Sequence, residues 1–309
     1  MSWFFLALLG YFFLAIVFVL DKFILTRSVQ QPVVYAFYST IFMFGAIILW
    51  PFGAELLQGQ DWAVAALSGL AFGFGLWAMF LAVKRGEASH VNPFIGSVVS
   101  IGTFALAALY LGESLKSLQV LGMLVLVFAT FLLSVRLTKN GLGLYKGFAW
   151  ALVAGLLFAV SHTAAKYIYE AYPFLTGFMW TRVFTGVVGL VCLYSSHVRR
   201  SFVRPSRGRT MERCKNCGFG KKHAVGTVIT DKVAGIVGVV LIQYAIARGS
   251  VTLVNAMIGL QYAFMFLLIY LLTRFAPRVF HEKFAPREVS FQIVAIALVI
   301  LGSALFVVQ

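Results

Sequence analysis

The sequence predicts an all-α integral membrane protein, with ten transmembrane helices arranged as two inverted five-helix repeats. Composition, the spacing of apolar runs and an internal repeat predict it. Of the 309 residues, 61% are hydrophobic and only 11% are charged. A soluble domain usually carries about 25% charged and about 45–50% apolar residues. The excess excludes disorder, a disulfide scaffold and an ordinary soluble enzyme. The net charge is +15. A basic chain often binds nucleic acid, but here the charge sits in short loops, so no nucleic-acid partner is expected. Three cysteines, with Cys192 inside an apolar run, give no extracellular disulfide framework. The start, Met1-Ser2-Trp3, lacks the basic region of a cleaved signal peptide, so the first run is read as a retained helix.

A helix of about 20 apolar residues crosses the hydrocarbon core. Ten runs qualify: 3–20, 32–50, 62–83, 91–112, 118–135, 147–168, 174–196, 226–247, 252–273 and 290–308. Turn or charge signals separate them, among them Gln31-Pro32, Gly59-Gln60-Asp61, Gly86-Glu87, Asn140-Gly141 and Tyr172-Pro173. Trp3, Trp50, Trp62 and Trp150 sit near run ends, as interfacial aromatics do. Outside the spans, 3 Lys and Arg fall on the side of the N-terminus and 20 on the other. The positive-inside rule therefore predicts a multi-pass cell-membrane protein with both termini outside and the long basic loop in the cytoplasm. Without that loop the count is 11 against 3, and the orientation stands.

The chain carries one pattern twice. Arg85, Gly86, Val91, Asn92, Ile95 and Gly96 recur as Arg248, Gly249, Val254, Asn255, Ile258 and Gly259, at an offset of 163. Pro32, Phe37, Thr40 and Gly45 recur as Pro173, Phe178, Thr181 and Gly186, at an offset of 141. Ala7, Leu8, Ala15, Lys22 and Ile24 recur as Ala151, Leu152, Ala159, Lys166 and Ile168, at 144. The predicted units are 1–138 and 145–309, with a basic loop insertion at 199–223 in the second. Five spans per unit reverse its direction, and inverted repeats around a midplane site recur in secondary transporters.

The run Ala107-Ala108-Leu109-Tyr110-Leu111-Gly112-Glu113, followed by Gln119 and Gly122, resembles the EamA branch of the drug/metabolite transporter superfamily. There a Leu-Gly-Glu element closes the fourth span of a repeat and a Gln-x-x-Gly opens the fifth. The second half keeps only His281-Glu282-Lys283 and Gln292. Ser100 stands where the family usually has a proline, and the family's usual cytoplasmic termini differ from the charge count here. The resemblance implies ten spans and export of a metabolite, an amino acid or a nucleotide sugar.

Charged residues within spans are costly and are functional candidates by default. Arg182 lies eight residues into the seventh span, about 12 Å deep at 1.5 Å per residue. It is either an anion or carboxylate contact in a central cavity or a structural arginine bonded to carbonyls at a neighbouring helix end. Trp180 and Thr181 flank it on other helix faces, and Trp180 joins the substrate-binding candidates. Asp231, beside Lys232, is a proton or cation site or a headgroup-boundary residue; a depth difference of about 13 Å argues against a bridge to Arg182. Lys22 and Lys166 are matched across the repeat, as gate lysines or as ordinary snorkelling side chains.

Asn92 and Asn255 are the matched amides, suited to interhelical bonding or substrate contact. Pro93 beside Asn92 suggests a broken or kinked span start. His90 and His162 are coupling candidates by titration near neutral pH, or simply hydrogen-bonded groups. Gln243, Gln261 and Tyr262 complete the cavity-lining candidates. Gly69/Gly73 and Ala151/Gly155 are small-residue pairs that read as close helix packing.

Residues 199–223 carry nine basic residues against one acid, Glu212, and would attract anionic lipid headgroups. Within them, Cys214-Lys215-Asn216-Cys217-Gly218 resembles one knuckle of a zinc ribbon. Zinc needs four ligands; Cys214, Cys217 and His223 are the candidates here, as a half-site completed in a homodimer or as an idle thiol pair. No cofactor is expected, and no motif of a hydrolase or metalloprotease is present, so the protein is not read as an enzyme. The first span has no acid before Asp21, which disfavours a central carboxylate for proton antiport there. The expected function is secondary transport of a small polar or amphipathic metabolite, with export as the direction. The alternative is a non-transporting regulatory or assembly subunit acting through the basic Cys-containing loop.

Overall fold

The computed structural model describes residues 2–25, 31–85, 88–134, 137–138, 141–142, 147–203, 221–275 and 286–305, with side chains over 2–20, 31–85, 91–132, 147–201, 230–274 and 293–305. Helices account for nearly all of it. They are α1 (Ser2–Leu25), α2 (Pro32–Ile41), α3 (Asp61–Arg85), α4 (Ala88–Leu106), α5 (Ser117–Ser134), α6 (Phe148–Ala171) and α7 (Phe174–Cys192). They continue with α8 (Ser196–Val203), α9 (Lys221–Arg248), α10 (Val251–Ala256), α11 (Ile258–Phe275) and α12 (Pro286–Ala304). The exception is a two-residue antiparallel ladder, Leu137–Thr138 with Gly141–Leu142. Among the described residues, eight helices are long and apolar enough to cross a membrane. Two shorter apolar helices, Ser117–Leu132 and Ile293–Ala304, fall where the fifth and tenth spans are expected.

Local chemistry sets the ends. Pro32 opens α2, where a missing N–H costs nothing. Ser250 caps α10 by accepting from the Leu253 N–H at 3.0 Å. Gly112 closes the fourth span in a left-handed conformation, φ 63°, so the Leu-Gly-Glu element is a helix stop that only glycine adopts without strain. Glu113 just beyond it accepts from Thr252 Oγ1 at 2.7 Å, which ties the first half to α10.

Three spans are not continuous α-helix: the fourth widens into a π-helical turn, Ala107–Leu111, before Gly112. After α2 the chain tightens into a 3₁₀ segment, Phe42–Phe52. The ninth span breaks at Met257, between α10 and α11. The break expected at Pro93 is absent: α4 runs unbroken through it, although Pro93 is the sixth residue of the helix and donates no hydrogen bond to the carbonyl four residues back.

The most extensive pairings are α3 with α6 and α1 with α9. At the first, α3 also meets α7: a Cβ on Gly69 would collide with the Thr181 carbonyl, and one on Gly73 would lie 2.6 Å from Val188. A Cβ on Gly155 of α6 would lie 2.6 Å from Val98 of α4. These small-residue positions are close-approach surfaces, as their spacing predicts. Between the halves, α4 and α10–α11 run antiparallel. Ser100 Oγ donates to the Asn255 carbonyl at 3.1 Å, Gly96 meets Ile258, and Tyr262 OH donates to the Asn92 carbonyl at 2.6 Å. The two copies of the Val-Asn-x-x-Ile-Gly motif therefore pack on each other. Outward faces carry Phe5, Leu109 and Ile300, all well exposed, as a lipid-facing surface does.

Candidate functional site

Helices α6, α7 and α9 bring a polar cluster into the core. Arg182 of α7 is 2% exposed. Its guanidinium lies 4.4 Å from the centre of the Phe72 ring and 5.4 Å from that of Phe178. Tyr169 of α6 lies beside it and donates its O–H to Gln243 Oε1 of α9 at 2.9 Å. One α-helical interval of seven residues before Tyr169 is His162, whose ring also packs on Phe72, at 6.3 Å. His162 Nδ1 pairs with Asn255 Oδ1 at 2.8 Å, and Asn255 Nδ2 donates to Thr103 Oγ1 at 3.3 Å. Two hydrogen-bonded sets, Thr103–Asn255–His162 and Tyr169–Gln243, thus meet on α6, and the Phe72 ring lies against both His162 and Arg182.

Arg182 is only partly satisfied. Nε and Nη1 are buried and have no hydrogen-bond partner in the protein. Neither of the two reaches a helix-end carbonyl. No carboxylate among the described residues lies within ion-pair distance of it. Burying an ion costs several kcal/mol even after relaxation. A desolvated ring contact returns about 2 kcal/mol, and a hydrogen bond to a charged group about 1.5–3 kcal/mol. Each buried donor left unmet costs about 1–3 kcal/mol. The balance favours an anionic group at the two free N–H edges.

The other sequence candidates separate into three groups. Asn92, Asn255, Gln243 and Tyr262 are buried and bonded across helices, as above. Asn92 Oδ1 and Gln261 Nε2 are buried without a partner in the protein. Trp180 is turned elsewhere: its indole N–H donates to the Glu55 carbonyl at 2.8 Å, and its ring packs edge-on against Trp50 and Trp62. That contact belongs to a strap, residues 53–60, laid over the α6–α7 turn. Glu55 N–H donates to Thr176 Oγ1 and Gln58 N–H to Tyr172 OH, both at 3.0 Å.

Of the coupling candidates, Asp231 is fully buried with its carboxylate 2.9 Å from Lys232 Nζ, and makes no bridge to Arg182. Lys166 pairs with Glu170 at 3.3 Å. The side chains of Lys22, His90 and His223, and both Cys214 and Cys217, lie outside the described residues. No group of three or more His, Cys, Asp or Glu that could hold a metal occurs among the described residues.

Sequence reasoning missed Tyr169, Phe72 and Thr103. The signal for Tyr169 was available: His162 and Tyr169 are seven apart and share a helix face. Phe72 and Thr103 had no signal, since an aromatic or a threonine in an apolar span reads as packing. Ser100, where the family's proline is absent, gains a bond to the Asn255 carbonyl.

A solved crystal structure, 17% identical, matches 98% of both chains with a TM-score of 0.65, and shows that the whole chain shares its fold. A stretch of 80 residues is 38% identical to an "Uncharacterized transporter in cobO 3'region" from Sinorhizobium sp. That stretch covers 26% of this chain and spans about half, 55%, of the relative. The expected family resemblance is borne out over the first half: this is a multi-pass membrane protein whose residues 1–135 match the EamA-like transporter family.

Proposed function

We propose that the protein is a secondary transporter that exports a small polar or amphipathic metabolite by alternating access between two inverted five-helix repeats, 1–138 and 145–309. The observation that carries this is a buried, incompletely bonded cation, Arg182, in a polar cluster enclosed by apolar helices. Packing supports the repeat. Under the offsets of 144 and 163, the α1–α9 pairing maps onto the α6–α3 pairing, and these are the two most extensive in the molecule. Near-equivalent halves give inward- and outward-open states of similar energy, which is what alternating access requires. Both termini face outside and the 199–223 loop, with its basic residues near anionic headgroups, faces the cytoplasm, on the charge count.

Untargeted metabolomics on cells and medium tests it, comparing wild type, Arg182→Ala and empty vector at matched expression. A metabolite enriched in the medium with wild type alone is expected, with export falling about a hundredfold or more in Arg182→Ala, the scale of removing one partner of a buried charge contact. Wild-type export by Arg182→Ala would sink the site assignment. A phenotype lost on deleting 201–222 but kept in Arg182→Ala would favour the non-transporting subunit.

A further inference from the structure

We infer that the Arg182 site takes the carboxylate of an organic monoanion with an apolar body and no ammonium group, a substrate class that excludes cations and disfavours zwitterionic amino acids. This rests on the carrier reading above and narrows it.

The two free N–H groups of Arg182 call for an acceptor with negative charge, and a carboxylate supplies it with the shortest and strongest bonds. The ring faces of Phe72 and Phe178 cover the guanidinium, so the in-plane N–H edges are what remain for a ligand. The neighbours on hand to bind the rest of such a ligand are neutral: Tyr169, Gln243, His162 and Asn255 in hydrogen-bond pairs, and the rings of Phe72, Phe158 and Phe178. They suit an apolar body.

Among the described residues an ammonium group has no counter-charge there. Asp61 is tied to Tyr172, Glu113 to Thr252, Glu170 to Lys166 and Asp231 to Lys232, while Glu55 is exposed on the strap. These are the acids with described side chains, and none faces Arg182. An ammonium near the guanidinium would meet like charge in a poorly solvated interior, where repulsion is several times stronger than in water.

Isothermal titration of the purified full-length protein in nanodiscs decides this with three probes that share one body: phenylacetate, 2-phenylethylamine and phenylalanine. Phenylacetate is expected to bind, phenylalanine at least tenfold more weakly, and 2-phenylethylamine not at all. Arg182→Gln should lose phenylacetate binding, and Arg182→Lys should weaken it at least tenfold with an unchanged melting temperature. Binding of 2-phenylethylamine as tight as phenylacetate, or unchanged phenylacetate binding in Arg182→Gln, overturns the inference. So does no binding by any carboxylate, or equal occupancy by chloride or inorganic phosphate in competition, which would leave only an inorganic anion site. Flux into proteoliposomes separates the two claims. Phenylacetate that binds without moving defeats the carrier reading alone; another solute that moves while phenylacetate fails to bind defeats the substrate class alone.

Discussion

Where the second half carries Arg182, the first carries Ile41 at the matching repeat position. By the same offsets His162 answers to Phe18, Gln243 to Phe80, Gln261 to Val98 and Tyr262 to Val99. The apolar copies pack as such: the Phe80 ring lies 4.6 Å from Tyr35, and Ile41 abuts Gly189. The backbone does not follow this divergence, since Thr40 and Thr181 each return a hydrogen bond to the carbonyl four residues back, at 2.8 Å in both. The sequence pattern occurs twice, whereas most of the polar side chains of the cluster lie on its second occurrence. The physical reason is cost. Each buried polar group needs its partners built around it, so polarity gathers where partners already exist instead of being spread over two faces.

Installing the first half's residue at His162 gives the largest effect. His162→Phe should leave Asn255 Oδ1 buried without a partner and cost about 1–3 kcal/mol, read as a lower melting temperature of the purified protein. The reciprocal Phe18→His should fail to restore the loss, because position 18 packs on the Tyr262 ring. A full rescue would break the comparison. Trp180→Phe comes next. It removes the bond to the Glu55 carbonyl and should cost about 1 kcal/mol, with export within about twofold of wild type, since Trp180 pins the strap and leaves Arg182 untouched; a larger loss of export would restore Trp180 to the substrate site. The smallest effects belong to Thr40→Val and Thr181→Val. Both hydroxyls bond the carbonyl four residues back in their own helix, so each should shift stability by about 0.5 kcal/mol or less. Unequal effects would mean that the two copies do not share a local structure.

Much of the fold is legible in the sequence because lipid imposes simple rules. A backbone in hydrocarbon must satisfy its own polar groups, so each long apolar run becomes a helix. The same rule makes Arg182 conspicuous, for a charge twelve or so ångströms deep needs a reason. The Pro93 expectation failed on detail: α4 runs unbroken through the proline, and the break fell instead at Met257, which nothing in its sequence marks. Trp180 shows the other failure. Adjacent residues on a helix point about 100° apart, so nearness in sequence to Arg182 placed it on the strap side.

What the sequence by itself determined is the class of the molecule, the repeat and its matched residues, and the one deep cation. These follow from composition, period and transfer cost, which are properties of each segment alone. What only the tertiary structure decided is who meets whom. Tyr169, Gln243 and Arg182 come from three helices; His162, Asn255 and Thr103 come from three more positions as far as 152 residues apart. Whether Arg182 ends with a full set of partners or with two free N–H groups depends on how helices cross, and a crossing is set by the close contacts of Gly69, Gly73 and Gly155 with side chains far away in the chain.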